Sequence, residues 1–293
     1  MAIRFLLIVL SVVNLTLAPA AVVLADDPTT EFVRISTDDG GVARALQMSV
    51  ITYVPANNDQ VPTIDLVSAI HIGDPSYYAE LNERFRAYDV LLYELVAPEN
   101  AVASNRLAKR KGFLSTAQIG LTKLLGLSFQ LDEVNYDQRN FVHADLSPAE
   151  LRKSMEDRGE SLYVYFWRIF FASLDEYARD PLGLQDLEVL SAMLSSDQDN
   201  SLKTMIAYEM TNIEQLQSIL GEDSGSAIIG ARNQRAVDVL RREIVAGAKH
   251  IGIFYGVAHM PDLEERLLDQ LGLRYHETDW IDAWQLGPAT SDP

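Results

Sequence analysis

An apolar run, Ile251-Gly252-Ile253-Phe254-Tyr255, stops at Gly256, and a polar amphipathic segment starts directly after His259. This order predicts a buried strand, a glycine turn and a histidine delivered to the mouth of a helix. The same grammar occurs near the other end of the chain. Ile64-Asp65-Leu66-Val67 runs through Ser68-Ala69-Ile70 to His71, Pro75 opens a helical segment, and a further run, Val90-Leu91-Leu92-Tyr93, ends at Glu94. Strand, helix and strand in that order favour parallel pairing with a right-handed crossover. The fold class expected is therefore α/β: a central, mostly parallel sheet built from both chain ends and flanked by helices.

Other segments build around that core. Thr29 to Asp39 is polar and reads as a leader into the fold. Ala45 to Val54 and Pro62 to Ile70 have strand character, with Asn57-Asn58-Asp59 as the turn between them. Tyr78, Leu81 and Phe85 recur at helical spacing within Tyr77 to Tyr88, and Asp89 to Val96 returns to a strand. From about 101 to 220 the pattern is mainly helical, an insertion in the middle of the sheet. Within it, Ser147-Pro148-Ala149-Glu150 marks a helix start, and the aromatic segment Tyr163 to Phe171 reads as core, ahead of a substrate-facing wall. Arg232 to Val245 and Pro261 to Leu271 read as helices, Lys249 to Tyr255 as a strand, and Leu273 to Leu286 as a terminal strand or hairpin. This gives one domain over 26–287, with a loose tail at 288–293.

Residues 1–25 differ in character from the remainder of the chain. Arg4 precedes an almost wholly apolar Phe5 to Val13, and Val23-Leu24-Ala25 places small residues ahead of Asp26-Asp27. That is the pattern of a secretory signal peptide cleaved after Ala25, which predicts export to a periplasm or the cell exterior. Asn14, Thr16 and Pro19 interrupt the apolar run, and no later segment has the ~20 steady apolar residues of a membrane span. The chain has 24 basic and 42 acidic side chains, a net charge of −18. Loss of Arg4 with the signal makes the balance one unit more negative. Such a surface repels nucleic acid and anionic lipid. It holds no cysteine, which excludes thiol catalysis and thiolate metal sites, so any metal must be held by histidine and carboxylate.

His71 and His259 each follow an inner strand and precede a helix, the place where open α/β sheets gather ligands. Gly256 offers room and backbone freedom beside a bound group, and Ser68 is its counterpart by spacing from His71. Glu94 ends an apolar strand, where a carboxylate is costly unless paired, and the strand–helix–strand order is expected to set it beside the strand leading to His71. A His71, His259 and Glu94 set suits Zn, Mn, Co or Fe(II) and a bound water of lowered pKa. Without metal the same three groups suit general acid–base work. Arg232, just past Gly230-Ala231, opposes the helix dipole at a helix start, which points to a specific task such as an oxyanion or carboxylate clamp, with Asn233 as an added donor. Asp74 and Asp262, each three residues after a key histidine, read as helix caps. His143 is a weaker site candidate, and His250 and His276 read as structural. Ser68 and Ser115 lack the context of a nucleophile elbow.

At these positions the chain resembles the TraB/PrgY/GumN and Tiki family, which is marked by two Gly-x-x-His motifs near opposite ends and an intervening glutamate and arginine. Gly256-Val257-Ala258-His259 matches the second motif intact, and Ser68-Ala69-Ile70-His71 matches the first with serine for glycine. Glu94 matches the glutamate and Arg232-Asn233 the arginine, with Ala231 where an acid often stands. The resemblance covers most of the chain after the signal, more loosely in the helical middle. It implies a fold similar to erythromycin esterases and a haem-binding lipoprotein group. It also implies a metal-dependent hydrolase of Tiki type, acting on a peptide or peptide-like bond with Mn or Co. Expected roles are metal binding by His71, Glu94 and His259, and catalysis by Glu94, Arg232 and His259. The alternative is a non-enzymatic protein that binds haem, a peptide or a pheromone in the same cleft.

Overall fold

The structure, a computed structural model, describes residues 30–56, 61–97, 126–160, 198–213 and 226–287. The expected signal peptide, the Asn57-Asn58-Asp59 turn, Ser115, the segment Tyr163 to Phe171 and the tail lie outside these residues.

The chain is α/β, and its described residues form one seven-stranded mixed sheet flanked by helices. Its strands are β1 (Val33–Thr37), β2 (Ala43–Pro55), β3 (Thr63–Ala69), β5 (Val90–Tyr93), β7 (Phe141–His143), β8 (His250–Gly256) and β9 (Leu273–Gln285). A short pair, β4 (Ile72–Gly73) with β6 (Ser128–Phe129), stands apart. The helices are α1 (Pro75–Phe85), α2 (Gln130–Glu133), α3 (Pro148–Asp157), α4 (Gln198–Met210), α5 (Gly230–Ala246) and α6 (Met260–Leu271).

Strand direction explains how both chain ends enter one sheet. β3, β8, β5 and β7 pair in parallel, while β2 pairs antiparallel with β1, β3 and β9. Among the described strands of this sheet six thus run one way and β2 opposes them. Met48 is in register with both Val33 and Ile281, and Val50 with both Val67 and Asp279. A strand has only two edges, so β9 occupies one edge of β2 while β1 and β3 share the other.

β8 inserts between β3 and β5: Ile253 is in register with Leu66 on one side and Leu92 on the other. Glu94 therefore does not lie beside the strand leading to His71, as the strand–helix–strand order suggested. The carboxyl-terminal chain fills that gap, and the ends of β3, β8 and β5 open side by side in that order. Gly252 allows the fit, because a β-carbon there would meet Leu91 at 2.6 Å and the Tyr88 ring at 2.8 Å.

Two further expectations are revised. The polar leader contains β1, whose pairing to β2 closes the sheet beyond β3. The mainly helical middle of the chain also supplies a strand: β7 joins the sheet beside β5, Leu92 opposite Val142. Three residues are too few to show a strand period, and this strand forms because the open edge of β5 offers partners.

Helix signals were more legible. Ser147 and Glu150 form a reciprocal capping box with Pro148 in the first turn of α3. Tyr77, Tyr78, Leu81 and Phe85 bury one stripe of α1. The two phenols also hold the segment leading to His71, donating to the backbone carbonyls of Ser68 and Ile70 at 3.0 Å each. Leu66, Leu92, Ile251, Ile253 and Leu263 are wholly buried between sheet and helices. No helix among the described residues is long and apolar enough to cross a membrane.

Candidate functional site

Each residue of the site is set by the end of a strand or the start of a helix. Glu94 follows β5 directly, and its backbone N–H continues the ladder to the Phe254 carbonyl at 3.1 Å. Gly256 ends β8, and a single 3₁₀ turn, Val257–His259, carries the chain into α6. Its φ of −55° is ordinary for any residue, so backbone freedom does not require the glycine. Room does. The Gly256 N–H donates to Glu94 Oε2 at 2.6 Å, and a β-carbon would stand 3.2 Å from that oxygen.

Register also changes Gly256's counterpart in the first motif. Ala69 lies opposite Gly256, whereas Ser68 lies opposite Tyr255. The Ser68 hydroxyl is buried and bonded to the Ser49 hydroxyl at 3.0 Å, which makes it a core link between β3 and β2.

Arg232, in the first turn of α5, is the hub. Its Nη2 reaches Glu94 Oε1 at 2.6 Å and Asp145 Oδ2 at 2.6 Å, its Nε donates to Asp145 Oδ1 at 2.9 Å, and its Nη1 lies 3.3 Å from His259 Nε2. Asp145, buried two residues past β7, offsets both the desolvation of the guanidinium and its unfavourable place on the helix dipole. Asp145 is one residue that sequence reasoning missed. Its signal was the pattern that exposed Glu94, an apolar run ending in a carboxylate, but Phe141-Val142-His143 was too short to read as a strand.

His259 is buried, with Nδ1 2.6 Å from Asn233 Oδ1 and Nε2 3.6 Å from Glu94 Oε1. Burial drives its pKa down to about 4; Glu94 opposes that shift and Arg232 adds to it. The imidazole is neutral at pH 7. Burial works against charge on Glu94, but His259, Arg232, His71 and the Gly256 N–H outweigh it and hold its carboxyl well below the usual range. Burial also opposes the Arg232 cation, and the hydrogen bonds from Asp145 and the charge of Glu94 more than compensate. Two carboxylates thus face one guanidinium beside a neutral imidazole, leaving one excess negative charge.

His71 stands exposed at the rim, near enough to act electrostatically on Glu94 and His259. Its Nδ1 bonds to Gln130 Oε1 at 3.2 Å, and Gln130 Nε2 donates to the Tyr136 hydroxyl at 2.8 Å. The structure therefore joins Glu94, Arg232 and His259 in direct contact and places His71 beside them.

Among the described residues no three His, Asp or Glu side chains are gathered as a metal-ligand cluster. Imidazole and carboxylate are nonetheless donor types that a divalent ion takes. His259 Nε2 and Glu94 Oε1 are separated by a distance that two ligands at about 2.1 Å from one ion can span. Amide oxygens at the Nδ1 atoms of both histidines are partners of the kind that orient ligating imidazoles. The competitor for the His259 lone pair is Arg232 Nη1.

Other candidates have structural work. Asp74 makes no side-chain cap on α1; it accepts from Lys203 Nζ at 2.8 Å and the Gln285 N–H at 2.6 Å, tying α4 to β9. Asp262 likewise makes no cap and binds Asn233 and Arg266. His143 bonds to the Leu95 carbonyl at 2.6 Å, His250 pairs with Asp65 at 3.1 Å, and His276 is exposed on β9. No family model, no curated protein and no solved structure matches the chain.

Proposed function

We propose that this chain is an exported hydrolase, a metal-dependent peptidase that cleaves a peptide or peptide-like bond. The observation that carries the reading is the buried, neutral His259, whose Nε2 faces an ionised Glu94 and a fixed Arg232 cation. His259, Glu94 and His71 would hold the ion. A bound Mn, Co or Zn ion supplies a nucleophilic water at neutral pH and polarises the scissile carbonyl. Glu94, held far below the usual carboxylate range, is suited to binding a cation more than to carrying a proton. Arg232 is locked by Asp145 before substrate arrives, so its Nη1, the nitrogen that bonds to neither carboxylate, would meet a developing oxyanion without reorganising once the ion takes the His259 lone pair. The exposed His71 is the group of the set most open to a substrate. The family resemblance of the motifs and the apolar amino-terminal segment support the same reading.

The test is peptide hydrolysis by the purified protein with Mn or Co, beside His259→Ala. The proposal expects activity that the folded His259→Ala variant lacks. Retained activity in that variant would sink it, and tight ligand capture with no turnover would favour a binding protein instead.

A further inference from the structure

Asn233 has one side-chain acceptor and two N–H donors. Its Nδ2 lies 2.7 Å from Asp262 Oδ2 and 3.1 Å from the His259 backbone carbonyl. Both of these atoms are acceptors, so the nitrogen of the amide must occupy that side. Its Oδ1 is then turned to His259 Nδ1, 2.6 Å away. An amide oxygen cannot donate, so Nδ1 carries the imidazole proton and Nε2 keeps the lone pair.

Asp262 is itself immobilised. Arg266 Nε donates to its Oδ2 at 2.7 Å and Arg266 Nη2 to its Oδ1 at 3.1 Å, while Arg266 Nη1 reaches Gln234 Oε1 at 2.7 Å. Asn233 and Gln234 belong to α5, and Asp262 and Arg266 to α6. One buried network therefore clamps the amide between two helices. At His71 the matching amide, Gln130, ends on the Tyr136 hydroxyl, which can accept or donate. That amide can turn over; Asn233 cannot.

We propose that Asp262 is a positioning residue for His259: acting through Asn233, it commits the imidazole to the Nδ1–H form and aims the Nε2 lone pair at Glu94 and Arg232. Its consequence for catalysis rests on the hydrolase reading, whereas the hydrogen-bond chain does not.

The experiment is imidazole 1H–15N correlation NMR on the full, 15N-labelled, metal-free protein, with the His259 signals assigned by their loss in His259→Ala. Wild-type His259 is expected as Nδ1–H. Asp262→Ala is expected to shift its tautomer ratio about tenfold toward Nε2–H, the loss of one charge-assisted hydrogen bond. The His71 signals, which have no link to Asp262, should stay in place and report that the fold is kept. A double variant, Asp262→Ala/Arg266→Leu, strands no buried cation and serves if the single one does not fold. Nε2–H in the wild type, or an unchanged ratio in a folded variant, overturns the assignment. Absence of peptide hydrolysis in the wild type would sink the hydrolase and leave these spectra as they are.

Discussion

Gly256 donates its backbone N–H to Glu94 Oε2 at 2.6 Å, and any β-carbon at position 256 would press on that oxygen from 3.2 Å. One atom pair therefore joins the ends of β8 and β5, 162 residues apart. Gly256→Ala should force the carboxylate to give by a few tenths of an ångström and so weaken its bond to the donor. A hydrogen bond to a charged group is worth about 1.5–3 kcal/mol. We expect a loss of stability of up to about 2 kcal/mol in urea unfolding and a fall in kcat/KM of up to about tenfold. A variant of wild-type activity would show that the Gly256–Glu94 contact has no part in function.

Arg232 and Asp145 are both buried, and Asp145 has no exposed side-chain surface. Arg232→Met leaves two carboxylates facing each other without a cation, which should cost about 3–5 kcal/mol. Removing the second charge as well, in Arg232→Met/Asp145→Leu, should recover part of that loss. Denaturant midpoints of the two variants decide the matter: a double variant less stable than the single one would contradict the pairing.

Acid should destabilise the protein in two stages. His259 has a folded pKa of about 4 against an ordinary 6.5, so the unfolded chain takes up a proton that the native state refuses. Its stabilising contribution is complete above pH 6.5 and is lost as the pH falls toward 4, about 2 kcal/mol of it between pH 7 and 5. Glu94, depressed when folded, contributes stability above its ordinary value of 4.5 that is lost as the pH falls further. Urea unfolding of wild type and His259→Gln at pH 7 and 5 should show the flatter pH dependence in the variant; equal slopes would contradict a buried neutral imidazole.

If the excess negative charge is a cation site, Mn or Co at 100 times its dissociation constant should stabilise the native state by about 2.7 kcal/mol. Differential scanning calorimetry reads this as a rise in Tm, and elemental mass spectrometry of gently purified protein reads the stoichiometry. Both signals should vanish in a folded His71→Ala/His259→Ala variant. The same Tm rise in that variant would place the ion elsewhere.

Much of the architecture was legible because local physics carries it. The apolar runs of β3, β5 and β8, the caps of α3 and the spacing in α1 act over a few residues, and each appears in the structure within a few positions of its expected bounds. β1 and β7 were missed because they become strands only when another strand edge receives them. The site divides in the same way. Glu94, His71, His259 and Arg232 each break a local pattern and so drew notice. Asp145 and Gln130 come after stretches with too little pattern to mark them. Asp74 and Asp262 sit where capping residues belong, yet each is occupied by partners from distant segments or the next helical turn, Lys203 and Gln285 in one case, Asn233 and Arg266 in the other.

The sequence by itself determined the α/β class, the two strand-to-helix histidines and the strand-end glutamate, because hydrophobic period and turn chemistry are short-range. The tertiary structure decided that β8 lies between β3 and β5, that Asp145 answers Arg232, and that Asn233 sets the imidazole of His259. Those facts depend on which strand edges meet and which buried charges find each other, and no local stretch of chain contains that information.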